Sequence, residues 1–323
     1  MILNKYSKIE ITPTTPFNFD ATFFKPDHFT IDDHEYIPGI RWQTINWDEK
    51  QLGLKISNKG KPNDPKVILE IYSQDDLSIK FLDSLKKEIE YRFNLGLDLN
   101  DFYTLFKNDP HLVKPFKNLK GMRPGHPSSL YEYLIIGIIL QNASVRRSAQ
   151  MFRNLLETYG TQIEFDNKKL LCLWIPGRFK NVDEQELRDL KIGYRAKSIK
   201  RLDKEFFERS IKEEDIRKLD LQEQRKFLIS LYGVGPATVW YILFDVFHQW
   251  DFFDHISPWE QKLYSQLFFN RGLDDLASVD ELFVFINQYD KYKQLAVHYM
   301  WEDLWWRRYK GEIIPWLEKE IRS

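Results

Sequence analysis

The sequence predicts an α+β protein, an N-terminal antiparallel β domain over residues 1–98 followed by a mostly α-helical region over 99–323. Two observations predict it. Short β-rich runs with partial alternation fill the chain up to about residue 75, and nearly every apolar run after Leu99 has helical spacing. A length of 323 residues also exceeds one ordinary core, so more than one domain is expected.

The expected strands are Phe17–Phe24, Gly39–Ile45, Leu52–Ser57 and Val67–Tyr72, with a turn-rich connector at Asn58–Pro65. A helix from about Leu77 to Phe93 carries Ile79, Leu82, Leu85, Ile89 and Phe93 on one face, and should lie across the sheet. Short helices follow at Asp101–Lys107 and His111–Phe116. Ser129-Leu-Tyr-Glu132 reads as a capping box opening a helix to about Leu140, apolar nearly all round and therefore central. Gln141-Asn-Ala-Ser144 interrupts it. Ser144 caps a second helix ending at Tyr159, with Gly160 as a left-handed stop. Further helices are expected at Glu184–Leu190, Tyr194–Glu208, Leu221–Tyr232, Pro236–Phe247, Pro258–Phe269, Val279–Gln288 and Lys291–Tyr309.

Composition narrows the function classes. Hydrophobic content of 43% and charged content of 29% describe a soluble globular chain. The net charge of −1 gives no global attraction for polyanions, so nucleic-acid binding would need a local patch. The single cysteine, Cys172, excludes disulfide scaffolds within the chain, zinc fingers and four-cysteine iron–sulfur clusters. The seven histidines show no metal spacing, and no cofactor is implied. No apolar run reaches membrane-spanning length and MILNKYSKIEI lacks a signal-peptide pattern, so a cytoplasmic location is expected. Ten Trp, 16 Tyr and 24 Phe fit either a well-filled core or a pocket that stacks on a flat ring.

Leu231-Tyr-Gly-Val-Gly-Pro-Ala-Thr238 is the most informative stretch. It reads helix, tight turn, helix. Gly233 and Gly235 bracket a turn in which positive φ carries no Cβ penalty, and Pro236 takes the first helical position. Free N–H groups at such a helix start form an anion site, and phosphate is the usual anion. An ordinary turn between two helices is the plainer alternative.

Several stretches together resemble one family. They are Gly121-Met-Arg-Pro124, Ile138-Ile-Leu-Gln-Asn-Ala-Ser-Val145, Leu190-Lys-Ile-Gly-Tyr-Arg-Ala-Lys-Ser-Ile199, Leu231–Val239 and Tyr292-Lys-Gln-Leu-Ala-Val-His-Tyr-Met-Trp301. In this order they resemble the helix-hairpin-helix (HhH-GPD) DNA glycosylases, in particular the branch with bacterial 3-methyladenine glycosylase II and 8-oxoguanine glycosylase. The resemblance covers about residues 100–309. It implies two helical subdomains with a cleft between them, a hairpin at 222–247, and an enzyme that flips a damaged base out of double-stranded DNA and cleaves its N-glycosidic bond. Gly233, Val234 and Gly235 would hold a backbone phosphate, and Asn142 would fill the gap left by the flipped base, or merely end a helix. Arg147, Arg195 and Lys197, with Arg146, would face DNA; simple solvation is the alternative for each.

Members that also cleave the strand carry a lysine after the hairpin proline; here Ala237 stands there, which implies a monofunctional enzyme using water. Lys262 is a nearby lysine that nothing singles out. The family aspartate at the start of the next helix falls on Ser257, whose Ser-x-x-Glu260 pattern is a capping box. Either Asp254, three residues earlier, is the catalytic carboxylate, or the carboxylate is absent. Trp259 and Trp240 are the base-pocket candidates, with core packing as the alternative. A 3- or 7-alkylated purine is already cationic and leaves easily, so it asks least of a missing carboxylate. The leading expectation is a monomeric, monofunctional glycosylase acting on alkylated purines. A non-catalytic DNA- or lesion-binding protein and a helical protein that touches no nucleic acid are the alternatives.

Overall fold

The computed structural model describes residues 1–24 and 32–322. Strands β1 (Lys5–Ile11), β2 (His34–Ile37), β3 (Ile40–Trp47), β4 (Lys50–Asn58) and β5 (Val67–Ser73) form one antiparallel sheet in the order β1-β5-β4-β3-β2. Helix α1 (Phe19–Phe23) follows β1, and α2 (Ile79–Arg92) follows β5. Phe81, Leu85 and Ile89 of α2 pack on Leu52, Leu54 and Ile56 of β4 and Val67, Leu69 and Ile71 of β5, the alternate residues of each strand. The opposite face meets a hairpin, β6 (Thr161–Phe165) and β7 (Lys168–Cys172), through Trp42, Ile163, Phe165 and Leu170. The sheet is therefore covered by a segment that follows it by some ninety residues in the chain.

The remaining elements are helical: α3 (Asn100–Leu105), α4 (Val113–Leu119), α5 (Leu130–Leu140), α6 (Val145–Tyr159), α7 (Glu184–Leu187), which runs into a π turn over Arg188–Ile192, α8 (Arg195–Glu208), α9 (Glu213–Arg217), α10 (Leu221–Ser230), α11 (Pro236–Asp245), α12 (Pro258–Phe269), α13 (Val279–Asn287), α14 (Lys293–Tyr309) and α15 (Pro315–Arg322). They build two cores. One gathers α5, α6 and α8 through Leu134, Ile138, Phe152, Leu155 and Ile199. The other gathers α3, α12, α13 and α14 through Phe102, Tyr264, Phe268, Ile286 and Tyr299. Helix α11 belongs to both: Val239, Ile242 and Leu243 enter the first and Trp240 the second. Among the described residues no helix is long and apolar enough to cross a membrane.

Local chemistry explains most boundaries and three departures. The capping box of Ser129 and Glu132 starts α5, and Ser144 caps α6. Phe17–Phe24, expected as a strand, instead contains α1, because the Asn18 side chain accepts from Ala21 N and caps a helical turn. Gly160 ends α6 at φ −74 rather than in the left-handed region; a Cβ there would meet Leu156 O and Cys172 O at 2.5 and 2.7 Å. Strands β1 and β2 lie at the two edges of the sheet, where polar and charged residues blur the alternation.

Candidate nucleic-acid interface and base cleft

Helix α10 ends at Ser230, and the Leu231–Gly235 turn leads directly into Pro236 at the first position of α11. Gly233 has φ +84, whereas Gly235 sits at φ −105; one glycine, not two, takes the left-handed conformation. A Cβ on Gly233 would also meet the Ser198 hydroxyl of α8 at 2.5 Å. The Val234 N–H is used internally, donating to Leu231 O at 3.2 Å, and its side chain is buried. Among the described residues, the N–H groups of Gly233 and Gly235 donate to no main-chain carbonyl. The turn is held from behind by Gly137 of α5, whose missing Cβ leaves room for Thr238; a methyl there would lie 2.6 Å from Thr238 Cγ2.

The Gln-Asn break joins this turn. Gln141 Nε2 donates to Gly233 O at 2.7 Å, and the Gln141 carbonyl accepts from Arg195 Nη2 and from Tyr194 Oη. Asn142 adopts φ +48, is exposed, and donates through Nδ2 to Tyr194 Oη at 3.1 Å. Three stretches far apart in the sequence thus meet around one glutamine. Arg146 and Arg147 are exposed in the first turn of α6. Lys197 and Arg201 flank the half-exposed ring of Tyr232, with Arg201 Cζ 4.1 Å from its centroid. Arg195 departs from its sequence-based assignment to the surface. It is 3% exposed, stacks on Tyr194 at 4.7 Å and binds main-chain carbonyls, so its guanidinium is spent inside the fold.

Beyond α11 lies the head of α12. Ser257 is its N-cap: its hydroxyl accepts from Glu260 N at 3.2 Å, and Glu260 Oε2 accepts from Ser257 N at 2.7 Å. Glu260 is buried, and its Oε1 accepts from Tyr241 Oη at 2.8 Å. Burial, reinforced by the Glu260 charge, pushes the Tyr241 phenol well above the usual range. Tyr241 as a whole is nevertheless 38% exposed, while its hydroxyl is engaged by the buried Glu260. Ala237, one turn earlier on the same face of α11, is exposed.

Asp254 meets α11 at Pro236, Val239 and Trp240 rather than at Ala237 or Tyr241. Its carboxylate is partly exposed, pairs with Arg225 Nη2 of α10 at 3.2 Å, and lines a small cavity with Pro236, Val239, Trp240, Phe252 and His255. Trp240 is 5% exposed and packs edge-on against Phe253 and Tyr241. Trp259 is 41% exposed and meets Trp301 of α14 edge to face at 6.0 Å. The Trp259–Trp301 contact, the Tyr241–Glu260 bond and the Arg225–Asp254 pair were not legible in the sequence, because each joins residues on different elements. Among the described residues no cluster of His, Cys, Asp and Glu could hold a metal ion.

No protein-family model matches the chain. It is 26% identical over 219 residues to a probable N-glycosylase/DNA lyase of Methanothermobacter thermautotrophicus, covering 61% of this chain and 68% of that protein. It is 26% identical over 162 residues to a DNA-3-methyladenine glycosylase of Bacillus subtilis, covering 50% of this chain and 54% of that one. The fold is similar to that of a 3-methyladenine DNA-glycosylase from Archaeoglobus fulgidus, with TM-score 0.74 and 15% identity over 93% of this chain and 98% of the other. It is also similar to a Clostridium acetobutylicum 8-oxoguanine glycosylase/lyase solved with double-stranded DNA, with TM-score 0.65 and 17% identity over 97% and 100%.

Proposed function

We propose that this chain, which belongs to the helix-hairpin-helix DNA glycosylase superfamily, is a monofunctional, monomeric DNA N-glycosylase that excises alkylated purines. The observation that carries the reading is the exposed Ala237–Tyr241 face of α11. Ala237 supplies no amine where the strand-cleaving members carry one, so the reading departs from the lyase named in the archaeal relative. Gly233 and Gly235, on either side of Val234, hold one backbone phosphate through their N–H groups, with Lys197 and Arg147 adding charge along the same strand. Asn142 fills the gap that a flipped base leaves. Trp259, braced by Trp301, takes the cationic ring, and Trp240 supports the cleft from within the core. The C1′–N bond breaks with both electrons leaving on the alkylated base, which departs neutral. Water oxygen bonds to the sugar cation and its proton passes to solvent.

The test is base release from a duplex carrying N-methylated purines, with borohydride present in a parallel reaction. Free methylated base, an alkali-labile site and no trapped protein–DNA adduct are expected. A trapped adduct would overturn the monofunctional assignment. One feature favours a second reading, a DNA- or lesion-binding protein that does not cut: Ser257 rather than a carboxylic acid is the N-cap of α12. Tight binding to abasic DNA without release of alkylated, oxidised or deaminated bases would establish that reading instead.

A further inference from the structure

We infer that Glu260, and not Asp254, provides the negative charge that the cleft presents to the sugar, with Tyr241 holding it in position; this rests on the glycosylase reading above. Although Glu260 is three residues into α12, its carboxylate folds back to the helix head, 2.7 Å from Ser257 N. The charge therefore sits beside the residue that lacks one. A capping box alone is an ordinary device, and this chain has others. The acidic members of three of them, Glu186, Glu223 and Glu281, are exposed, and that of α5, Glu132, has the Arg92 charge nearby. Glu260 differs on two counts: it is 3% exposed and it takes a phenol hydroxyl from a neighbouring helix.

A buried carboxylate without a counter-ion is costly, and what faces this one is the head of α12 with hydrogen bonds from Ser257 N and Tyr241 Oη. Among the described residues no ion pair neutralises it, so its field is offset only by those dipoles. A positive charge arriving over the exposed Ala237–Tyr241 face would meet that field across Tyr241, whose hydroxyl lies between the surface and the buried carboxylate. Asp254 offers no such field, since Arg225 and solvent neutralise it. Glu260 is thus a positioning residue for charge, acting through Tyr241, and the sugar need not touch it.

Glu260→Gln tests this, because glutamine also serves at the third position of a capping box and keeps an acceptor for Tyr241. Wild type, Glu260→Gln and Asp254→Asn are compared in single-turnover release from methylated duplex. They are also compared in affinity for duplexes carrying a cationic pyrrolidine or a neutral tetrahydrofuran abasic analogue. Glu260→Gln is expected to slow release about 100-fold and to abolish the wild-type preference for the cationic analogue, with tetrahydrofuran affinity retained. The affinity ratio is internal to each preparation, so a partly unfolded variant still reports it. A Glu260→Gln protein that keeps both the rate and the preference overturns the inference, as does loss of both in Asp254→Asn alone. A wild type that releases no base yet prefers the cation through Glu260 defeats the glycosylase reading and leaves the charge assignment standing. A wild type with no such preference defeats the assignment.

Discussion

At the scale of single residues, the hairpin depends on two glycines for different reasons. Gly233 needs both its left-handed backbone and the space taken by Ser198, while Gly137 needs only space for Thr238. Gly233→Ala is expected to destabilise the fold by about 1–3 kcal/mol, combining backbone strain with the clash. It should also weaken binding to an abasic duplex well beyond what the stability loss explains; thermal melts and fluorescence anisotropy on the same preparation check both. Unchanged affinity would show that the turn does not hold DNA. The hairpin was legible in the sequence because glycine and proline carry their constraint locally. Gln141 was visible only as part of a motif. Nothing local reveals that its side chain reaches Gly233, ninety-two positions away, or that Arg195 turns inward to meet its carbonyl.

At the scale of elements, α2 and α9 are joined by a buried ionic cluster. Glu88 pairs with Arg92 and Arg217, Arg217 with Glu213, and Glu213 accepts from Leu130 N at the head of α5. The Tyr91 hydroxyl reaches Val246 O at the end of α11, and its ring packs on His248. Removing Arg217 leaves Glu213 without its cation and Glu88 with Arg92 alone, so Arg217→Met is expected to cost about 3 kcal/mol in urea unfolding. A cost below about 1 kcal/mol would mean that Arg92 alone suffices to hold the Glu88 charge. Two groups here also set the acid limit. Burial opposes the Glu88 charge but Arg92 and Arg217 outweigh it, lowering its pKa from 4.5 to about 2. Burial and the nearby Arg217 charge hold His248 at about 3, against 6.5 when free. Both folded values are depressed, so on acidification the unfolded chain takes up protons that the native state refuses. Stability should be full above pH 6.5, decline towards pH 3 through His248, and decline further between pH 4.5 and 2 through Glu88. Urea midpoints at pH 7.5 and 5.5 test the first window, and His248→Phe should flatten it; an unaltered slope in that variant would assign the effect elsewhere. The helices were legible because long 3.6-residue periods and caps repeat the signal. The edge strands and α1 were not, because a few residues are decided by neighbours and caps rather than by pattern.

At the scale of the whole molecule, a net charge of −1 leaves little long-range attraction for DNA. Affinity for a duplex should come from the few contacts around the hairpin, so the slope of log affinity against log salt is expected near −3 to −5. A slope steeper than about −8 would require a basic surface beyond these residues. The mixed α+β character and the helical region were readable from composition and period. The covering of the sheet by β6 and β7 was not, since a hairpin of five-residue strands carries no mark of the surface it will meet. Gln141 has one more consequence at this scale. Because its side chain and its carbonyl lock the turn at Gly233, the loop at Asn142 and the head of α8 together, the three behave as the jaws of a fixed caliper. On the glycosylase reading proposed above, the distance between a phosphate held at Gly233 and the Asn142 side chain would be set before DNA arrives. The proposed enzyme would then require the duplex to bend to that gauge, and a damaged, poorly stacked step bends most cheaply.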